Sequence, residues 1–166
     1  NGVVTPGPLS DRAMPQSDWI IGSVALFRPR KGIEILIQAL AVLRQNNYAV
    51  HLRAVGPFET PMYENVIKAL AVRLGVADMI DWVGFVQDVD FELRKMDVLV
   101  LPSLFGEGMP MVILEAMAAG VPVVASDVEG IPEVLEHGLA GIVVKPGDAD
   151  SLASALSALM NNKYDW

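Results

Sequence analysis

GEGMPMVILEAMAAGVPVVAS, positions 106–126, decides the reading of the chain, because it spells a glycine-flanked loop, an apolar helix and a buried strand in that order. Pro110 suits the first helical turn, where its missing N–H costs nothing, and Gly120 suits the end, so the sequence predicts a helix over 110–119. The apolar run at 121–125 then reads as a strand. Glu115 falls in mid-helix. Its neighbours three and four positions away are Met111, Val112, Ala118 and Ala119, none of which can pair with a carboxylate. An unpaired buried charge is very costly, so a tertiary partner, water or a ligand has to meet this one. A second carboxylate, Glu107, stands in the glycine loop just ahead.

The same grammar extends in both directions. Short apolar runs at 19–25, 50–55, 80–83, 98–102, 121–125 and 141–144 alternate with helical patterns, which is the signature of an α/β domain whose parallel sheet is covered on both faces. The first helix is the plainest, with Ile33, Leu36, Ile37, Leu40 and Leu43 at helical spacing and Arg44 near its end. Others are predicted over 61–74, 90–96, 131–136 and 148–160, with Asp148 as the N-cap of the last. In such sheets ligands bind beyond the carboxyl ends of the strands, so the loops at 27–32, 56–59, 84–86, 103–109 and 127–132 hold the functional candidates.

With 166 residues, 52% of them hydrophobic, the chain supports one core and is too short for two ordinary domains. The Pro- and Gly-rich segment 1–17 reads as a linker entering a domain at 18–166, and a chain without an initiator Met reads as starting mid-protein. A net charge of −8 argues against a nucleic-acid or anionic-membrane surface. No apolar run is long enough to span a membrane. Zero cysteines exclude disulfides and thiolate metal sites, and His51 and His137 lack metal-ligand spacing. The expected location is therefore cytoplasmic.

Three cations, Arg28, Arg30 and Lys31, gather in FRPRKG at 27–32, after the first strand and before a helix. They form either a diphosphate grip or a solvated basic loop. Gly106 and Gly108 let backbone approach a ligand, and free amides at Met109 and Met111 suit phosphate oxygens, though neither a Walker A nor a GxGxxG pattern is present. As a glycosidase pair, Glu107 and Glu115 would be about 12 Å apart along a continuous helix, beyond the roughly 5–9.5 Å that hydrolysis uses. A folded-back loop would shorten that distance. Glu133 reads as a first-turn acid stabilising a helix dipole, and His137 as exposed or capping. Asp78, Asp81, Asp88 and Asp90 read as solvated loop acids, and Asp88-Val89-Asp90, despite its DxD spelling, has no further ligands to suggest a metal.

Together these motifs resemble the C-terminal, donor-binding domain of retaining GT-B glycosyltransferases of the group 1, family 4-like kind. The resemblance covers nearly the whole chain: RKG at 30–32 looks like the phosphate-loop lysine motif, PSLFGEGMPMVILEAMAAGVPVVAS at 102–126 like the E-x7-E region, and EGIPEVLEHGLAGIVVKPGD at 129–148 like the closing segment. It implies a Rossmann-like three-layer domain with about six parallel strands, the C-terminal half of a GT-B fold. Glu115 would accept from the ribose hydroxyls of a nucleoside-diphosphate sugar, UDP- or GDP-linked. Lys31 and Glu107 would be the catalytic pair, one neutralising diphosphate and the other holding the sugar. Arg28, Gly108, Met109 and Met111 would complete the phosphate cradle, and backbone at Phe85 and Val86 would meet the base. No metal or further cofactor is implied. Leu26 stands where many members carry an arginine, and Glu129 where a glycine is common. The acceptor site would lie on a missing N-terminal domain, through which the protein would associate with a membrane, and the chain alone would bind donor with little turnover. A nucleotide-sugar epimerase of the same architecture and a non-catalytic interaction domain are the competing readings.

Overall fold

The computed structural model describes residues 15 and 18–161, and the linker predicted over 1–17 falls, Pro15 apart, outside them. The described residues form six parallel strands, β1 (Trp19–Val24), β2 (Val50–Val55), β3 (Ile80–Gly84), β4 (Val98–Leu101), β5 (Val123–Ser126) and β6 (Ile142–Val144). Six helices alternate with them: α1 (Ile33–Gln45), α2 (Pro61–Arg73), α3 (Val89–Leu93), α4 (Met111–Ala118), α5 (Ile131–Val134) and α6 (Ala149–Met160). The sheet order is β3-β2-β1-β4-β5-β6. After β3 the chain returns to the middle of the sheet, so β1 and β4 flank the switch point of a doubly wound fold.

Alternation along the strands splits the core in two. Val98 and Val100 of β4 face a cluster built with α1, α2 and α6, where Leu36, Ile37, Leu40 and Leu156 are wholly buried. Leu99 and Leu101 face the opposite cluster, with Leu93 of α3, Ile113 and Ala116 of α4 and Ile131 of α5. The period of two thus gives helices on both faces of the sheet, with His51 of β2 and Asp81 of β3 its exposed strand side chains.

Local chemistry moved several predicted boundaries. Pro110 has an extended ψ of 96° and acts as N-cap, so α4 opens at Met111 rather than at the proline. At the other end Val121 donates to the Ala116 carbonyl at 2.8 Å, closing the helix, and β5 therefore begins at Val123. The helix predicted over 90–96 is α3, which starts one residue earlier because the Asp88 carboxylate accepts from the Phe91 amide at 2.9 Å. Asp88 is thus a cap, and Asp78, Asp81 and Asp90 pair with Arg44, Arg53 and Arg94; all four stay exposed to solvent as expected, but each has a partner, and Asp81 and Asp90 belong to β3 and α3 rather than to loops. Asp148 caps α6 as predicted, accepting from Ser151 at 2.9 Å.

Candidate functional site

The loops leaving β1 and β4 meet at the switch point. The Leu104 amide donates to the Arg30 carbonyl at 2.8 Å, stitching the cationic loop to the glycine loop. Gly32 makes the approach possible: its φ is +65°, and a Cβ there would lie 2.0 Å from the Pro102 carbonyl oxygen.

Each of the three cations is engaged. Lys31 Nζ donates to Glu107 Oε1 and Arg30 Nη1 to the Gly106 carbonyl, while Arg28 makes a long 3.4 Å contact with Glu59. Arg28 Nε is buried and has no hydrogen-bond partner among the described residues. Glu107 is 6% exposed, and Ser103 Oγ donates to the same Oε1 at 2.5 Å, so its charge is held by an ammonium and a hydroxyl. This is a buried ion pair with one further hydrogen bond, an arrangement that tolerates loss of neither partner. The basic loop is therefore not simply solvated.

Above this pair stands the start of α4. The amides of Gly108, Met109, Met111 and Val112 donate to no acceptor among the described residues. They lie at a helix N-terminus, where the macrodipole and unpaired N–H groups favour an anion. Four residues into the helix, the carboxylate of half-buried Glu115 has no hydrogen bond or ion pair among the described residues. The structure thus supplies no protein partner for the carboxylate that the sequence singled out.

Phe85 and Val86 follow β3, two strands from β1 and so about 10 Å across the sheet from the cation loop. Phe85 is exposed. The Gly56 amide donates to the Gly84 carbonyl at 2.7 Å and the Phe27 amide to Pro57 at 2.8 Å, which laces the ends of β1, β2 and β3 into one rim. Below it Phe27, Phe58 and Trp82 pack with ring centroids 5.3–6.3 Å apart. An open apolar groove of about 250 Å³, lined by Met117, Gly120, Val121, Pro122 and Ala140, sits at the opposite ends of β5 and β6 and holds no titratable side chain.

Sequence reasoning missed Glu129. Its two carboxylate oxygens accept from the amides of Gly106 and Glu107 at 2.9 and 3.0 Å. These bonds, first from Gly106 and then from Glu107, hold the carboxyl below its ordinary range, with Arg30 adding attraction. A glutamate at a glycine-favoured position was the available signal. Glu133 is exposed in the first turn of α5 and His137 is exposed in a turn beyond it, both away from Glu107 in hydrogen-bonding terms.

Comparison with known proteins gives these features a family. The chain is 38% identical to an exopolysaccharide phosphotransferase of Streptomyces coelicolor over 95% of its own length and 17% of the relative's. It is 33% identical to an amylovoran biosynthesis glycosyltransferase of Erwinia amylovora, over 86% of this chain and 36% of that one. Among solved structures it is similar to HepE of Anabaena in complex with UDP, with a TM-score of 0.82 and 30% identity over 89% of this chain and 40% of that one. The chain thus spans about a third or less of the length of these two relatives. No helix among the described residues is long and apolar enough to cross a membrane. The three-layer domain with six parallel strands matches the C-terminal domains of GT-B glycosyltransferases. Residues 10–165 match the family model for glycosyl transferases group 1, and the chain belongs to that family.

Proposed function

We propose that this chain is the donor-binding half of a retaining glycosyltransferase, which takes a sugar from a nucleoside-diphosphate sugar and passes it to a glycan, lipid or other acceptor. The observation that carries the reading is Glu115, a carboxylate without a partner among the described residues on an apolar helix, one turn below four open amides. Ribose hydroxyls are the donors it lacks. UDP in the similar Anabaena structure supports a pyrimidine nucleotide of this kind, and a GDP-sugar fits the same groups.

On this reading the diphosphate lies across the amides of Gly108, Met109, Met111 and Val112. An ammonium has three donors, so Lys31 keeps its bond to Glu107 and offers the others to phosphate oxygens. Arg28, whose Nε has no partner among the described residues, supplies a second cation in place of the arginine absent at Leu26. Glu107 accepts from a sugar hydroxyl, and backbone at Phe85 and Val86 meets the base. As the bond from the anomeric carbon to the diphosphate oxygen breaks, its electron pair leaves with the diphosphate. The acceptor oxygen bonds to that carbon on the same face and passes its proton to the departing diphosphate oxygen. Preorganised cations and amides stabilise the departing charge without reorganising. The acceptor would be held by a further domain, which also accounts for any membrane association from the cytoplasmic side. The isolated chain binds donor and turns over little.

A calorimetric titration with UDP-, GDP- and ADP-sugars tests this. Binding of at least one, weakened when Lys31 is replaced, is expected; a folded chain with no affinity for any of them overturns the reading.

A further inference from the structure

We propose that Glu129 is a positioning residue that acts as an internal anion, fastening the loop from which Glu107 meets the donor sugar. The effect on the sugar rests on the donor-binding reading above; the fastening itself does not. Glu129 adopts a φ of +39°, a left-handed conformation that a side chain enters only at a cost and that glycine takes freely. The side chain repays that strain. Both carboxylate oxygens are used, one on the Gly106 amide and one on the Glu107 amide, across 22 or more residues of sequence. Bonds from amides to an ionised acceptor are stronger than neutral ones.

The clamp is two-sided. Arg30 donates to the carbonyl of Gly106, so the same residue is gripped through its N–H by Glu129 and through its oxygen by the cation loop. Next to Glu129, Gly130 runs so close to the glycine loop that a Cβ there would stand 2.8 Å from the Gly108 carbonyl oxygen. With its backbone held from both directions, Glu107 presents its carboxylate to Lys31 and Ser103. The arrangement also sorts the amides of the loop. The first two, at Gly106 and Glu107, are filled from within, and those from Gly108 onward stay open for a ligand. A carboxylate beside a phosphate site is tolerable because two amides and Arg30 offset its charge.

The experiment uses the nitrogen-15-labelled chain with E129Q and E129G, the second of which removes the left-handed strain together with the carboxylate. In the parent the amide protons of Gly106 and Glu107 should resonate downfield, and both variants should move them upfield. In calorimetry E129G should weaken UDP-glucose, or GDP-mannose if that is the donor bound, about tenfold, as loss of a charged hydrogen bond does. It should weaken the matching nucleoside diphosphate less than about threefold, because the diphosphate is held by Lys31 and by the amides from Gly108 onward, none of which Glu129 bonds. Added formate should restore part of the sugar-dependent affinity by refilling the amide pair, a rescue that a merely structural role would not give. Unmoved amide resonances, or equal weakening of both ligands, would overturn the proposal. If the parent binds neither ligand, the donor reading falls while the amide resonances still decide the clamp.

Discussion

Replacing Glu115 with leucine should move stability and binding in opposite directions. Glutamate and leucine have similar helix propensities, and no ion pair or hydrogen bond among the described residues is lost with the carboxylate. Full burial of a leucine side chain contributes about 1.5–3 kcal/mol, so at this half-buried position in α4 the gain is about 1 kcal/mol. For a chain of this size that raises the unfolding midpoint by about 2–4 °C. Binding should fall instead. Each hydrogen bond to a charged group is worth about 1.5–3 kcal/mol, and even one such loss weakens UDP roughly 10- to 150-fold. E115Q, which keeps an acceptor but no charge, should fall between. Differential scanning calorimetry and a UDP titration on the same preparations measure both quantities. A lower midpoint for E115L would mean that Glu115 has a structural partner, and unchanged UDP affinity would mean that it has no part in the site. Either result refutes the reasoning.

K31M should destabilise the fold by about 2–4 kcal/mol, since it leaves the buried Glu107 carboxylate with Ser103 alone; K31M combined with E107Q should recover most of that loss in urea titrations. The same K31M chain should lose affinity for UDP far more than for uridine. G32A should cost on the order of 3–5 kcal/mol, because it forces a side chain into φ +65° and against the Pro102 carbonyl, and chemical denaturation would expose a smaller effect as an error in the loop. Acid should unfold the chain in a defined window. Glu92, held by Arg53 and then Lys95, and Glu129, held by the Gly106 and Glu107 amides, have folded pKa values below the ordinary 4.5. Their stabilisation is therefore complete above that value and drains away as pH falls through the lower folded values. Midpoints measured from about pH 7 to 3 should be level, as far as these groups decide it, down to about 4.5 and then drop, and E92Q should flatten the drop; a midpoint rising over that acid range contradicts the sign.

Much of this architecture is local chemistry and so is visible in the sequence. The apolar spacing from Ile33 to Leu43 specifies α1, β2 occupies the predicted 50–55, and Asp148 caps α6 as its position foretells. The meeting of two carboxylate-bearing loops with the cation loop follows from parallel strands ending on one edge. What local patterns cannot reveal is pairing at long range. Lys31 and Glu107 are 76 positions apart, and nothing near either residue announces the other. The buried Glu92 looks like an ordinary helical acid until β2 brings Arg53 beside it. Glu129 likewise gains meaning only when its turn folds back onto the glycine loop, 22 positions earlier. Asp88 is an exposed loop acid as its composition suggests, and its further part as cap of α3 lies in the sequence too, three residues ahead of the amide it holds.

On the proposed function, the switch-point crevice between β1 and β4 holds a nucleoside diphosphate over the start of α4. Titrating UDP and GDP into the nitrogen-15-labelled chain while following every assigned amide resonance tests it most directly. Saturable shifts are expected with at least one of them, concentrated at Gly108, Met109, Met111 and Val112, at Lys31, and at Phe85 and Val86. Shifts confined to other surfaces, such as α2 or the apolar groove around Met117, or none with either nucleotide at saturating concentration, would contradict it.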